Sequence, residues 1–170
     1  ESRHCIKVLR HKKGDKITIV NGLGKYFFSE ILNPDSKKCL FKVLEIKQEP
    51  PRNYKIHIVV SPVKNIDRIA WMIEKLTEIG VDEISFIECE NSERKIIKTD
   101  RLKNVAIAAM KQSRRASLPV INDIVKFSEI LKLNFNSNKF IAYCKSDLKS
   151  NIHSLYEKGT DVVVIIGPEG

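Results

Sequence analysis

Five consecutive branched aliphatic residues, Val162-Val163-Val164-Ile165-Ile166, run directly into Gly167-Pro168-Glu169-Gly170. No other segment constrains the fold as strongly. A strand with no polar face must be buried on both sides, as happens inside a parallel sheet covered by helices. The residues that follow mark a turn at the strand's carboxyl end. Glycine tolerates positive φ or a close backbone approach, and proline fixes one φ. Ligands of open α/β sheets bind outside such strand ends. Glu169 is the only charge in the turn. A buried strand at the last residues of a chain leaves its neighbours unpaired, so the natural polypeptide is expected to continue past Gly170.

Upstream, the pattern alternates as a parallel sheet requires. Ile56-His57-Ile58-Val59-Val60 reads as a strand. A helix is expected over 67–79, with Asp67 as N-cap, Ile69, Met72, Ile73, Leu76 and Ile79 on its apolar face, and Gly80 as its stop. A strand over 84–87 follows. Asp100 is expected to cap a second helix over 101–113, with Leu102, Val105, Ala106, Ala109 and Met110 inward. A short helix over 128–133, a strand over 139–143 and a helix near 151–157 lead to the final strand. Strands alternating with helices imply right-handed crossovers and an α/β parallel sheet with helices on both faces.

Residues 16–48 differ. Short β-rich runs over 16–20, 26–31 and 39–46 are separated by Asn21-Gly22-Leu23-Gly24 and by Asn33-Pro34-Asp35-Ser36. Asn-Gly between such runs signals a hairpin. The segment reads as a small antiparallel barrel or sheet whose N-terminal strand is missing. Pro50-Pro51 can continue neither a ladder nor a helix, so 48–53 reads as a linker. The domains expected are 1–50 and 54–170.

The formal charge of +9 and a pI near 9.4 point to a polyanionic partner, or to a lysine-rich solvated surface. Cys5, Cys39, Cys89 and Cys144 form no CxxC and no Cys/His ligand spacing, so no metal is expected, and scattered thiols suit a reducing cytoplasm. No signal peptide is expected, and no apolar stretch approaches the roughly 20 residues of a membrane helix. The absence of GxxxxGK[ST] and GxGxxG argues against a phosphate-loop enzyme or a dinucleotide binder.

The strand ends at Ser61-Pro62, Cys144-Lys145 and 167–170 are candidates for one crevice. Lys111-Gln112-Ser113-Arg114-Arg115 closes the second helix, where cations either complement the helix dipole or contact RNA phosphates. Asn91-Ser92-Glu93-Arg94-Lys95 is a solvated loop or an RNA-facing one. Arg3, His4, Lys7, Arg10, His11, Lys12 and Lys13 form the densest basic cluster, either a surface stripe or an RNA-docking edge.

Five motifs occur in a familiar order: His4-x-x-x-Val8-Leu9-Arg10 with Gly14-Asp15; Lys75-x-Thr77-Glu78-Ile79-Gly80-Val81; Ser92-Glu93-Arg94; Ala108-Ala109-x-x-Gln112-Ser113-x-Arg115 with Pro119; and Ile165-Ile166-Gly167-Pro168-Glu169-Gly170. Together they resemble the RsmE-type 16S rRNA uridine-N3 methyltransferases of the SPOUT superfamily. Members usually carry glycine where Arg114 stands and glutamate where Val120 stands. The resemblance implies a PUA-like β-barrel followed by an α/β domain with a deep trefoil knot, whose knot-forming C-terminal part this chain lacks. It also implies S-adenosylmethionine as cofactor, a homodimer with the active site near its interface, 16S rRNA or the small ribosomal subunit as partner, and no membrane.

On this resemblance, Gly167 and Gly170 let the backbone approach the cofactor. Ile166 and Cys144 line its adenosine, and Glu169 is a cofactor contact, a base or a helix cap. Arg3, Arg10, Lys12, Arg94, Gln112, Arg114 and Arg115 are the RNA-binding candidates, with Arg10 and Arg115 also placed to stabilise a uridine anion. No residue is assigned as catalytic base. Uridine N3 lies on the Watson–Crick edge, so the target must be unpaired or flipped out. A non-catalytic RNA-binding assembly protein, or a SPOUT methyltransferase acting on another RNA, are the alternatives.

Overall fold

A computed structural model describes residues 1–132, 138–142 and 151–168. It divides into two units: Glu1–Pro50 with Arg114–Ser117, and Pro51–Ser113 with Leu118–Gly170.

The larger unit is a five-stranded, wholly parallel sheet in the order β6-β5-β4-β8-β7. Its strands are β4 (Ile56–Val60), β5 (Glu83–Glu88), β6 (Val120–Lys126), β7 (Asn138–Ile141) and β8 (Val162–Ile166). Helices α1 (Ile66–Ile79), α2 (Thr99–Gln112), α3 (Phe127–Lys132) and α4 (Ile152–Leu155) lie between them. Successive strand residues face opposite sides. Val60 and Phe86 accordingly pack with Ile69, Ile73, Leu102 and Ala106 of α1 and α2. Their neighbours Val59 and Ile87 pack with Val163, Ile165 and Ile130 of α3. On β8, Val163 and Ile165 are buried in this second cluster, whereas the other face grades from buried Val162 through half-buried Val164 to exposed Ile166, so the two-sided burial expected of the run is met only in part.

Several boundaries differ from expectation, each for a local reason. Asn65, not Asp67, caps α1: its side chain accepts the Asp67 N–H at 2.8 Å. Gly80 ends α1 with φ 92°, the left-handed stop foreseen. Ile79, expected on the apolar face, is 65% exposed, because Thr77 takes the inward position and returns its hydroxyl to the Ile73 carbonyl. α2 begins at Thr99, whose hydroxyl bonds Asp123 at 2.7 Å, and Asp100 does not cap it. β6 was not anticipated at all. It alternates poorly (Val-Ile-Asn-Asp-Ile-Val-Lys), because Asn122 belongs to a buried polar cluster.

The smaller unit carries β1 (Lys16–Val20), β2 (Lys25–Asn33) and β3 (Leu40–Gln48) in an antiparallel sheet of order β1-β2-β3. A short π-helical turn, His4–Val8, precedes it. The Asn21 side chain accepts the N–H groups of Leu23 and Lys25 and so forms the expected hairpin turn. Gly24 is buried with φ +82°, and a Cβ there would lie 2.8 Å from Gln48 Nε2. Ser117 Oγ would lie 3.3 Å from the same Cβ. Residues 114–117, just past the end of α2, belong to this unit. Gly24 N–H donates to the Ala116 carbonyl, the Tyr26 hydroxyl to the Arg114 carbonyl, and Ser117 Oγ to Glu49. Ala116 is fully buried beneath this clasp.

Candidate functional site

The chain passes β4, β5 and β6 in one direction, crosses to the opposite edge for β7, and returns to place β8 beside β4. Strand order therefore reverses between β4 and β8, the position where open α/β sheets hold ligands outside their carboxyl ends. The Ser61 N–H donates to the Ile166 carbonyl at 2.9 Å, and the Ala142 N–H to Ile165 at 2.8 Å, so the strand tips are tied together. Ile166 is 39% exposed at that edge. Gly167 is exposed, and a Cβ on it would meet nothing within 4 Å. Gly167 does not adopt positive φ, so backbone strain is not what requires glycine there. What glycine leaves is an unobstructed peptide edge. Cys144, Glu169 and Gly170 lie outside the described residues.

Beside this edge the loops after β4 and β5 are braced together. Buried Ser61 and Ser92 share a hydroxyl–hydroxyl bond of 2.8 Å, and Ser92 Oγ also accepts the Cys89 N–H at 2.7 Å. Glu93 accepts the Lys64 N–H, and Arg94 Nη2 donates to the Lys64 carbonyl at 2.6 Å. The motif Ser92-Glu93-Arg94 thus holds the β4–α1 loop in place. Arg94 is half-buried and its Nε has no partner. A second recess of about 430 Å³ is lined by Lys64, Glu93, Arg94, Lys95 and Ile96.

The β4–α1 loop and the first turns of α1 border a cavity of about 470 Å³, lined among others by Val60, Asn65, Arg68, Ile69, Trp71 and Phe86. Trp71 is 63% exposed at its rim. Trp71 is not among the residues expected from the sequence, although a tryptophan off the apolar stripe of an amphipathic helix is a visible signal.

At the other end of the strands, buried His57 bonds Ser85 Oγ through Nε2 at 2.8 Å, and Asn122 donates to both Ser85 and Glu83. Burial pushes the His57 pKa down, against the opposing pull of Glu83, whose carboxylate lies 3.8 Å away. The cluster sits at the amino ends of the strands, away from the crevice.

Of the RNA candidates, Arg3, Arg10, Lys12, Arg114 and Arg115 belong to the smaller unit, and Arg94 and Gln112 to the larger. Arg3, Arg10, Lys12, Gln112 and Arg114 are exposed, while Arg115 is half-buried with Nη1 4.0 Å from Glu49. The Lys12 N–H and His11 Nδ1 both engage Asp15, which lowers that carboxyl's pKa, chiefly through the Lys12 backbone bond. Among the described residues, Arg10 (φ 58°) and Arg114 (φ 56°) are the non-glycine residues in the left-handed region.

Residues 50–170 match the family model for an RNA methyltransferase domain, and residues 1–44 that for an RNA methyltransferase PUA domain. The match gives the larger unit its class, an RNA methyltransferase domain. A ribosomal RNA small subunit methyltransferase E from Buchnera aphidicola is 32% identical over 96% of this chain and 69% of its own length. A probable rRNA-methyltransferase from Porphyromonas gingivalis superposes with a TM-score of 0.88 at 37% identity, covering 98% of this chain and 72% of that one. A ribosomal RNA small subunit methyltransferase E from Neisseria gonorrhoeae, solved bound to S-adenosyl methionine, shares the fold at TM-score 0.80 and 22% identity, covering 99% and 71%. The chain belongs to the RsmE-type family of 16S rRNA methyltransferases. Among the described residues, no group of acidic, histidine and cysteine side chains is placed to hold a metal, and no helix is long and apolar enough to cross a membrane.

Proposed function

We propose that this chain methylates N3 of an unpaired uridine in 16S rRNA, with S-adenosylmethionine held at the carboxyl edge of β8. The observation that carries the reading is the open switch point between β4 and β8 in a chain of this family. The residues there fit the cofactor. Ile166 offers exposed apolar surface for an adenosine, and Gly167 leaves its backbone approachable with no side chain in the way. The structure bound to S-adenosyl methionine in the Neisseria relative supports the same choice. When bound, S-adenosylmethionine supplies an electrophilic methyl group on a sulfonium. The chain's own contribution is mainly positioning, since donor and N3 must be held in line. The brace of Ser61, Ser92 and Arg94 fixes the β4–α1 loop for that purpose.

Arg3, Arg10, Lys12 and Arg114 are proposed to contact RNA phosphates, with Arg115, Arg94 and Gln112 supporting them. A left-handed conformation costs a non-glycine residue about 1–2 kcal/mol. Both such residues are arginines from the candidate set, and strain of this kind gathers at functional positions. The division into a PUA-like domain over 1–50 and a knotted SPOUT domain over 54–170, and assembly as a homodimer on the small subunit, belong to the same proposal.

The test is incubation of the protein with S-adenosylmethionine and small-subunit RNA, followed by nucleoside mass spectrometry. 3-Methyluridine at one position is the expected product. Methylation at another atom refutes the N3 assignment, and binding of S-adenosylmethionine without any RNA methylation refutes the substrate.

A further inference from the structure

We infer that the cavity between the end of β4 and the first turns of α1 is the seat of the target base: an unpaired uracil stacked on the indole of Trp71. The inference rests on the proposed function and names the place where that function's substrate is held.

The cavity measures about 470 Å³, inside the range of roughly 300–1,000 Å³ typical of small-molecule sites. Its floor is apolar, with Val60, Ile69 and Phe86 buried. Its rim is different. Trp71 exposes 63% of its surface, although the same helix buries Ile69 and Ile73 almost completely. An indole on the solvent side of an amphipathic helix adds nothing to the core, but it provides a flat face on which a base can stack. Arg68 precedes Trp71 by three residues and so shares its face. It has no ion-pair or hydrogen-bond partner among the described residues and is open to a ribose-phosphate. Asp67, a carboxylate at the rim, lies 3.4 Å from Arg101, which offsets its repulsion of an anionic ligand.

Asn65 completes the set. Its Oδ1 is engaged in capping α1, which leaves its amide NH₂ as a donor. Uracil presents two carbonyl acceptors flanking N3, so a donor of this kind suits its edge. The location agrees with the chemistry. Ser61, which lines the cavity, is bonded through its N–H to Ile166 of β8, so the cavity and the proposed donor edge share one switch point. A base taken out of its stack needs a replacement stacking partner, and Trp71 is the aromatic residue at this rim.

Trp71 is the only tryptophan in the chain, so intrinsic fluorescence reports on this rim alone. The protein is titrated with a short single-stranded RNA carrying one central uridine and with the same RNA abasic at that position. Binding is followed in parallel by anisotropy of a labelled strand. Expected are strong quenching by the uridine strand, little by the abasic one, and an order-of-magnitude loss of uridine-strand affinity in Trp71→Ala with abasic affinity unchanged. Trp71→Phe, which keeps an aromatic face, should recover most of that loss. Equal quenching by both strands overturns the inference while leaving the proposed function standing. So does quenching that rises with protein concentration without RNA, because a second copy then covers Trp71. Failure of the unmutated protein to bind either strand overturns both.

Discussion

Replacing Arg114 by glycine should make the protein more stable and a poorer RNA binder at once. Arg114 follows the end of α2 with φ 56°, the conformation in which Gly80 ends α1 at φ 92°. An L-residue held there costs about 1–2 kcal/mol. Glycine removes that penalty but loses about 0.5–1 kcal/mol more backbone entropy on folding. The net gain is about 0.5–1 kcal/mol, or an increase in melting temperature of about 1–4 °C for a chain of this size. The backbone contact at this position is kept, because the Tyr26 hydroxyl bonds the Arg114 carbonyl and not its side chain. Arg114→Ala separates the two effects, since alanine removes the charge and keeps the strain. Melting temperatures should therefore rank Gly above both Arg and Ala. Affinity for 16S rRNA fragments should rank Arg above Gly and Ala, with the salt slope falling by about 1 in both variants. Equal melting temperatures for Arg114→Gly and Arg114→Ala would falsify the strain argument. An unchanged salt slope would remove Arg114 from the RNA surface.

Two further outcomes follow from the larger unit. His57 has its folded pKa held below the ordinary 6.5 by burial, so the unfolded chain binds its proton first. Stability should be flat above about pH 6.5 and fall as pH drops below it, by up to about 1.4 kcal/mol per pH unit. Denaturant midpoints from pH 7.5 to 5 check this, and a dependence that survives His57→Gln assigns it elsewhere. Ser92→Ala should cost about 1–3 kcal/mol, because it leaves the half-buried Cys89 N–H and the buried Ser61 hydroxyl without their partner. Hydrogen exchange at Cys89 should quicken in the same variant, and unchanged protection would show that the brace is not what holds that loop.

Strands β4 and β8 were legible because their residues are almost all branched aliphatics. Residues 56–60 and 162–166 have no other stable home, and Gly80 ends a helix whose stripe is plain in the sequence. β6 was hidden by the polar cluster it serves. Asn122 and Asp123 break its apolar run, yet Asn122 completes the His57–Ser85–Glu83 network, and Asp123 receives the Thr99 hydroxyl at the start of α2. Asp67 and Asn65 were indistinguishable as caps by composition, and only the geometry of the side-chain carbonyl separates them. The clasp of residues 114–117 into the smaller unit lay beyond any local pattern, because its partners Gly24, Tyr26 and Glu49 are far away in sequence.

That clasp bears on why arginine persists at a glycine-like position. Arg114 and Arg115 enter the smaller unit on a stretch pinned by Ala116 and Ser117, so their backbone is fixed before any ligand arrives. Fixing a long cationic side chain at its root lowers the entropy lost when it meets a phosphate. The same holds for Arg10, rooted just after the π-helical turn at φ 58°. Glycine at either position would relieve strain, but it would delete a preorganised charge from a protein whose partner is a polyanion. On the proposed RNA-contact role, strain at these two arginines and a preorganised charge are two consequences of one backbone choice. The paired Arg114→Gly and Arg114→Ala variants measure them separately.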